Sequence, residues 1–148
     1  MAAQDLIDGL ITTYRVLNTK VRPVPEERLR AKDGDGPSVR DVVVRLRDNE
    51  LRFSQALKER LTGVPMPEMF GEDEAPILGT ENVDDPTPVI LSQFGTARES
   101  TLAMLRGMAP TDWDQTLEGG EPIAVRIGQL LEHDRRQVAR INGLLGAR

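Results

Sequence analysis

The sequence predicts an all-α fold, a four-helix bundle with long connections. Three observations predict it: four stretches with apolar residues at three-and-four spacing, breaks rich in proline and glycine between them, and no convincing alternating strand. At 148 residues the chain has the length of one domain, spanning 1–148, and can bury a sizeable core without staples. Aromatic residues make up only 3%, so aliphatic side chains and methionine must fill most of the interior.

The first helix is expected from Ala3 to Val21, with its stripe at Leu6, Ile7, Leu10, Ile11, Tyr14, Leu17 and Val21. Arg22-Pro23-Val24-Pro25 and Asp33-Gly34-Asp35-Gly36-Pro37 then read as a polar connection. Ser38 opens the second helix, and Asp41 three residues on makes a near capping box. Its stripe runs through Val39, Val42, Val43, Leu46, Phe53, Leu57 and Leu61, and Gly63 and Pro65 mark its end. Asn49 and Glu50 interrupt its middle turn.

Residues 64–86 read as a long loop, either packed over the bundle or acting as a lid, with packing the preferred reading. Thr87-Pro88 starts the third helix, whose buried stripe is Ile90, Leu91, Phe94, Ala97, Thr101, Leu102, Leu105 and Met108. Thr111-Asp112-Trp113-Asp114 is a short turn that seats Trp113 structurally against the bundle. The last helix is expected from Ile123 to about Leu145, with Gly146 as its stop. The long first and second loops leave room for crossover connections.

The composition narrows the function. With no cysteine there is neither a disulfide framework nor a zinc ribbon, and thiol chemistry requires a thiol on a co-substrate. The net charge of −5 argues against a nucleic-acid partner. The Arg-rich run from Arg40 to Arg47 reads as the solvated flanks of an amphipathic helix. No segment approaches a membrane span, and Met1-Ala2-Ala3-Gln4-Asp5 has no basic start before an apolar run, so a cytoplasmic protein with no membrane partner is expected. No P-loop, G-x-G-x-x-G or G-x-S-x-G motif occurs.

In the last helix Asp134 falls inside the apolar face, and the only histidine of the chain, His133, lies on its flank one turn from Gln137. An i, i+4 pair is how a helix presents two metal ligands, but a carboxamide is a poor transition-metal ligand. Read from the residues alone, His133 is a hydrogen-bonded boundary residue.

The segments Ser38–Glu50, Pro110–Asp114 and Ile127–Ile141 together resemble the DinB-like superfamily over most of the chain, in order and spacing. The resemblance implies a four-helix bundle, often dimeric, holding zinc or nickel on three histidines. It also implies relatives that act as thiol-dependent S-transferases or as mycothiol-dependent maleylpyruvate isomerases. The family's first histidine position reads Arg45 here, in Arg45-Leu46-Arg47-Asp48, and the H-x-x-x-H of the last helix reads His133 and Gln137.

A guanidinium offers no lone pair to a metal. The expectation is therefore a degenerate site at Arg45, His133 and Gln137 with Asn49 and Asp134 beside it. Arg45 would pair with Asp134 or Glu50, and no metal cofactor is expected. The function expected is a binding or accessory module, with a small-molecule or thiol ligand and a homodimer as partners. The alternative is a thiol-dependent transferase or isomerase that uses His133.

Overall fold

The computed structural model describes residues 2–32, 34–62, 84–115 and 121–146. The loop reading for 64–86 falls outside the described residues except at its last three positions. So do Gly63 and Pro65, the expected stop of the second helix. Five α-helices are described: α1 (Ala3–Val21), α2 (Glu26–Arg30), α3 (Val39–Leu61), α4 (Thr87–Gly107) and α5 (Ile123–Gly146), with a 3-10 turn at Pro110–Asp114 before α5.

Each long helix forms where its stripe lies. Ser38 caps α3 with both halves of a capping box: its hydroxyl accepts from the Asp41 amide at 3.0 Å, and its own amide donates to the Asp41 carboxylate at 3.0 Å. Asp41 is therefore long enough for the reciprocal bond. Gly146 is the last helical residue described in α5, one position beyond the expected Leu145. The 3-10 turn is held by Asp112, which accepts from the Ala109 amide at 2.8 Å, and it buries Trp113 as expected.

Side-chain pairings set the topology. Residues 47, 50 and 54 of α3 meet 93, 98 and 100 of α4, so these two helices run parallel. Tyr14 meets Gly95 and Arg22 meets Ser92, so α1 runs against α4. Leu6 packs by Gly128 and Gly9 by Leu131, so α1 and α5 are parallel. The bundle is a ring in the order α1, α5, α3, α4, with a crossover joining the parallel α3 and α4. Two close approaches depend on glycine. A Cβ on Gly9 would lie 2.7 Å from Leu131, and one on Gly95 would collide with the Tyr14 hydroxyl.

α2 differs from the polar connection read in the sequence. Five residues are too few for a periodic signal, yet Glu26 and Glu27 in its first turn and Arg28 and Arg30 in its last complement its dipole, and Leu29 is fully buried. It latches the ends of two helices that lie diagonally across the bundle. Glu26 accepts the Thr87 amide at 2.9 and 3.0 Å at the start of α4, and Arg28 donates to the Leu145 carbonyl at 2.7 Å at the end of α5. An anion thus meets a helix N-terminus and a cation meets a C-terminus.

The core is divided in two. One apolar cluster gathers around Leu10, Phe53, Leu102, Ile127 and Leu131, and the other around Leu17, Val43, Leu46, Phe94 and Ile141. Between them lies a buried polar layer to which each long helix contributes: Thr13, Glu50, Arg98 and Asp134. Among the described residues no helix is long and apolar enough to cross a membrane.

Burial raises the Glu26 carboxyl, but the hydrogen bonds from Thr87 and Arg30 outweigh it and hold Glu26 below its ordinary value. A depressed carboxylate adds stability that is complete above the ordinary carboxylate range and is lost as pH falls through its folded value. Glu26→Ala is expected to cost about 1 kcal/mol at neutral pH, the size of a lost helix cap. Urea titrations of wild type and variant should converge as pH drops below 4, roughly the unfolded carboxylate value; a gap independent of pH would contradict the capping role.

Candidate functional site

Arg98 lies at the centre of the polar layer. It occupies a stripe position of α4, one turn from both Phe94 and Leu102, and its side chain is 0% exposed. Its Nε and Nη2 donate to the two oxygens of Glu50 on α3, each at 2.9 Å. Nη2 also donates to Asp134 Oδ2 on α5, and Nη1 to the Leu10 carbonyl on α1 at 2.8 Å. The guanidinium carbon stands 5.0 Å from the centroid of the Phe94 ring. Burial alone would lower its pKa; Glu50 and Asp134 overcome that and raise it, so Arg98 stays charged.

Asp134 carries the layer outward. Its Oδ1 lies 3.2 Å from His133 Nδ1, and the His133 side chain is 13% exposed. His133 and Gln137 occupy the flank of α5 opposite Gly128 and Leu131, which face α1, so they turn towards α3. On α3, Arg47 and Ser54 reach Gln93 and Ser100 of α4, which leaves Asn49 on the α5 side. The α3/α5 seam therefore brings together Asn49, His133, Asp134 and Gln137. Asn49 and Gln137 are buried, and the Gln137 Oε1 has no hydrogen-bond partner.

Arg45 does not join them. It is exposed on the outer shoulder of α3, where its charge acts on Asp41 one turn away. The cation between Glu50 and Asp134 is Arg98, and the expected pairing of Arg45 with either carboxylate is corrected on that ground. Helix geometry explains the difference: Arg45 lies five residues and about 140° from Glu50, too far round the helix to face the core. Arg47 departs from the solvated-flank reading in the other direction. It is buried, donating to Asp48 at 3.0 Å and to Gln93 at 2.8 Å.

Sequence reasoning missed Arg98, although the signal was present. The stripe Ile90, Phe94, Leu102 passes through position 98 at i+4 spacing, and a charged residue there is as conspicuous as Asp134 in α5.

The donor set does not suit the metal that the resemblance implies. Arg45 has no lone pair and is turned outward, Gln137 offers only a carboxamide, and both Asp134 oxygens are engaged. Among the described residues no three His, Cys, Asp or Glu side chains form a group that could hold a metal ion.

Comparison with protein-family models and with curated proteins finds no match. Among solved structures the chain is similar to YfiT from Bacillus subtilis, described as a probable metal-dependent hydrolase with an unusual four-helix bundle topology. The match has a TM-score of 0.77 at 19% identity and covers 96% of this chain and 85% of that one. The fold is thus a four-helix bundle like that of YfiT, as the sequence predicts. At this identity the likeness speaks for the fold alone.

Removing the charge of Arg98 should leave two buried carboxylates without a counter-ion. Arg98→Met is expected to cost about 3–5 kcal/mol in chemical denaturation, whereas replacing Arg98, Glu50 and Asp134 together by Leu or Met should be near neutral or stabilising. A single variant as stable as wild type would show that the layer is not an ionic one.

Proposed function

We propose that this protein is a DinB-like bundle that works without the family's metal centre, as a binding or accessory module whose α3/α5 seam takes a small polar ligand. The observation that carries this reading is the commitment of Asp134. One of its oxygens is held by Arg98 and the other lies against His133 Nδ1, so the carboxylate best placed to complete a ligand set around His133 is already used. The buried Oε1 of Gln137, one turn along the same flank, is an acceptor that a ligand N–H or O–H would satisfy. Purified protein is expected to carry far less than one zinc or nickel per chain by elemental analysis. One tightly bound metal per chain would overturn the reading.

A second reading is favoured by one contact. A carboxylate against Nδ1 orients a histidine for proton transfer, as a thiol-dependent transferase or isomerase using His133 as acid or base would need. Thiol-transfer assays in which His133→Ala keeps the fold but loses activity would support this enzyme over the binding module. Equal turnover in both proteins would exclude it.

A further inference from the structure

Arg45 stands outside the polar layer, but it precedes Asn49 by one turn and so lies on the α5 side of α3. On α5, Arg136 follows His133 by three residues and Arg140 follows Gln137 by three. Since α3 runs with α4, α4 runs against α1, and α1 runs with α5, α3 and α5 are antiparallel. A step towards the start of α3 and a step towards the end of α5 therefore lead to the same end of the seam. Arg98 holds Glu50 and Asp134 at one level. From that level Arg45 stands about 7.5 Å along the bundle, between Arg136 at about 3 Å and Arg140 at about 9 Å.

All three arginines are exposed, and among the described residues none has a carboxylate within ion-pair distance. The acids beside them are engaged elsewhere: Asp41 accepts the Ser38 amide and lies 3.7 Å from Lys32, and Glu132 accepts from Arg135. On a chain of net charge −5, three unmatched guanidiniums at the mouth of one seam create a local positive field.

We infer that the ligand of the α3/α5 seam carries an oxyanion, a carboxylate or a phosphate monoester, with a hydroxyl beside it; this rests on the reading of the seam as a ligand site. Arg45, Arg136 and Arg140 hold the oxyanion at the mouth, and the hydroxyl donates to the buried Oε1 of Gln137. A guanidinium has no lone pair for a metal, but its N–H groups form a fork that matches the paired oxygens of a carboxylate or phosphate. An unpartnered acceptor such as Gln137 Oε1 repels an oxyanion, so the charged head stays outside and only a donor enters. Gln137 and Arg140 are about 4.5 Å apart along the helix, a span that a head group and its neighbouring hydroxyl can bridge.

The test is an NMR chemical-shift titration of the full chain at constant ionic strength. The probes are glycolate and glycerol phosphate, with acetate lacking the hydroxyl and glycolamide lacking the charge. Glycolate or glycerol phosphate should shift the backbone amides of residues 133–140, and the tighter of the two identifies the head group. Arg45→Gln and Arg140→Gln should each weaken that binding about tenfold, whereas Arg135→Gln, on the α1 flank, should leave it unchanged. Gln137→Met should erase a roughly tenfold preference for glycolate over acetate without changing the affinity for acetate. No shift with either anion, or an equal loss in Arg135→Gln, would overturn the proposal. Glycolamide binding as tightly as glycolate would overturn the anionic head while leaving the seam a ligand site; one tightly bound metal per chain would overturn that underlying reading instead.

Discussion

A single guanidinium ties the four long helices of this bundle together. Arg98 projects from α4 and reaches a carboxylate on α3, a carboxylate on α5 and a main-chain carbonyl on α1. Four antiparallel or parallel helices with aliphatic stripes can slide past one another with little penalty, since one leucine ridge fits much as the next does. A buried charge with partners at defined positions on three other helices removes that freedom, because any other register strands an ion in the interior. Apolar burial above and below the layer stabilises the bundle, and the layer selects which bundle it is.

The layer also governs the site. Asp134 is held by Arg98 from inside and meets His133 on the outside, so the orientation of the one imidazole is set from the centre of the core. The seam residues therefore rest on a firm support, with the His133 side chain slightly exposed at the edge and a buried, unpartnered carboxamide oxygen on Gln137. One carboxylate thus joins the central guanidinium to the histidine.

Most of the fold was legible in the sequence because amphipathic periodicity is a strong signal over the 19 to 24 residues of the long helices. The end of α1 and the start of α4 follow directly from where the stripe meets proline. α2 was not legible, since five residues carry no period and its anchors, Thr87 and Leu145, are distant in sequence. Within the site, Asp134, His133, Asn49 and Gln137 could be placed on the right faces. The cation is harder to place, because Arg45 stands at the resemblance's ligand position while Arg98 finds its carboxylates only on two other helices. Pairing across helices is a long-range property, and a single sequence reveals it only as an anomalous residue in an apolar stripe.

The latch formed by α2 has a consequence for how the chain is made. Arg28 closes on a carbonyl 117 positions downstream, and α1 lies alongside α5, the last helix in the sequence. As the polypeptide leaves the ribosome, Glu50 and Arg98 can already meet, but one carboxylate of the layer and the neighbour of α1 are still missing. The first helix waits for the last, its apolar flank uncovered, throughout synthesis of the intervening segments. A bundle wired in this way folds more slowly than an up-and-down bundle of equal length, and during that interval its exposed stripe is open to association with other chains.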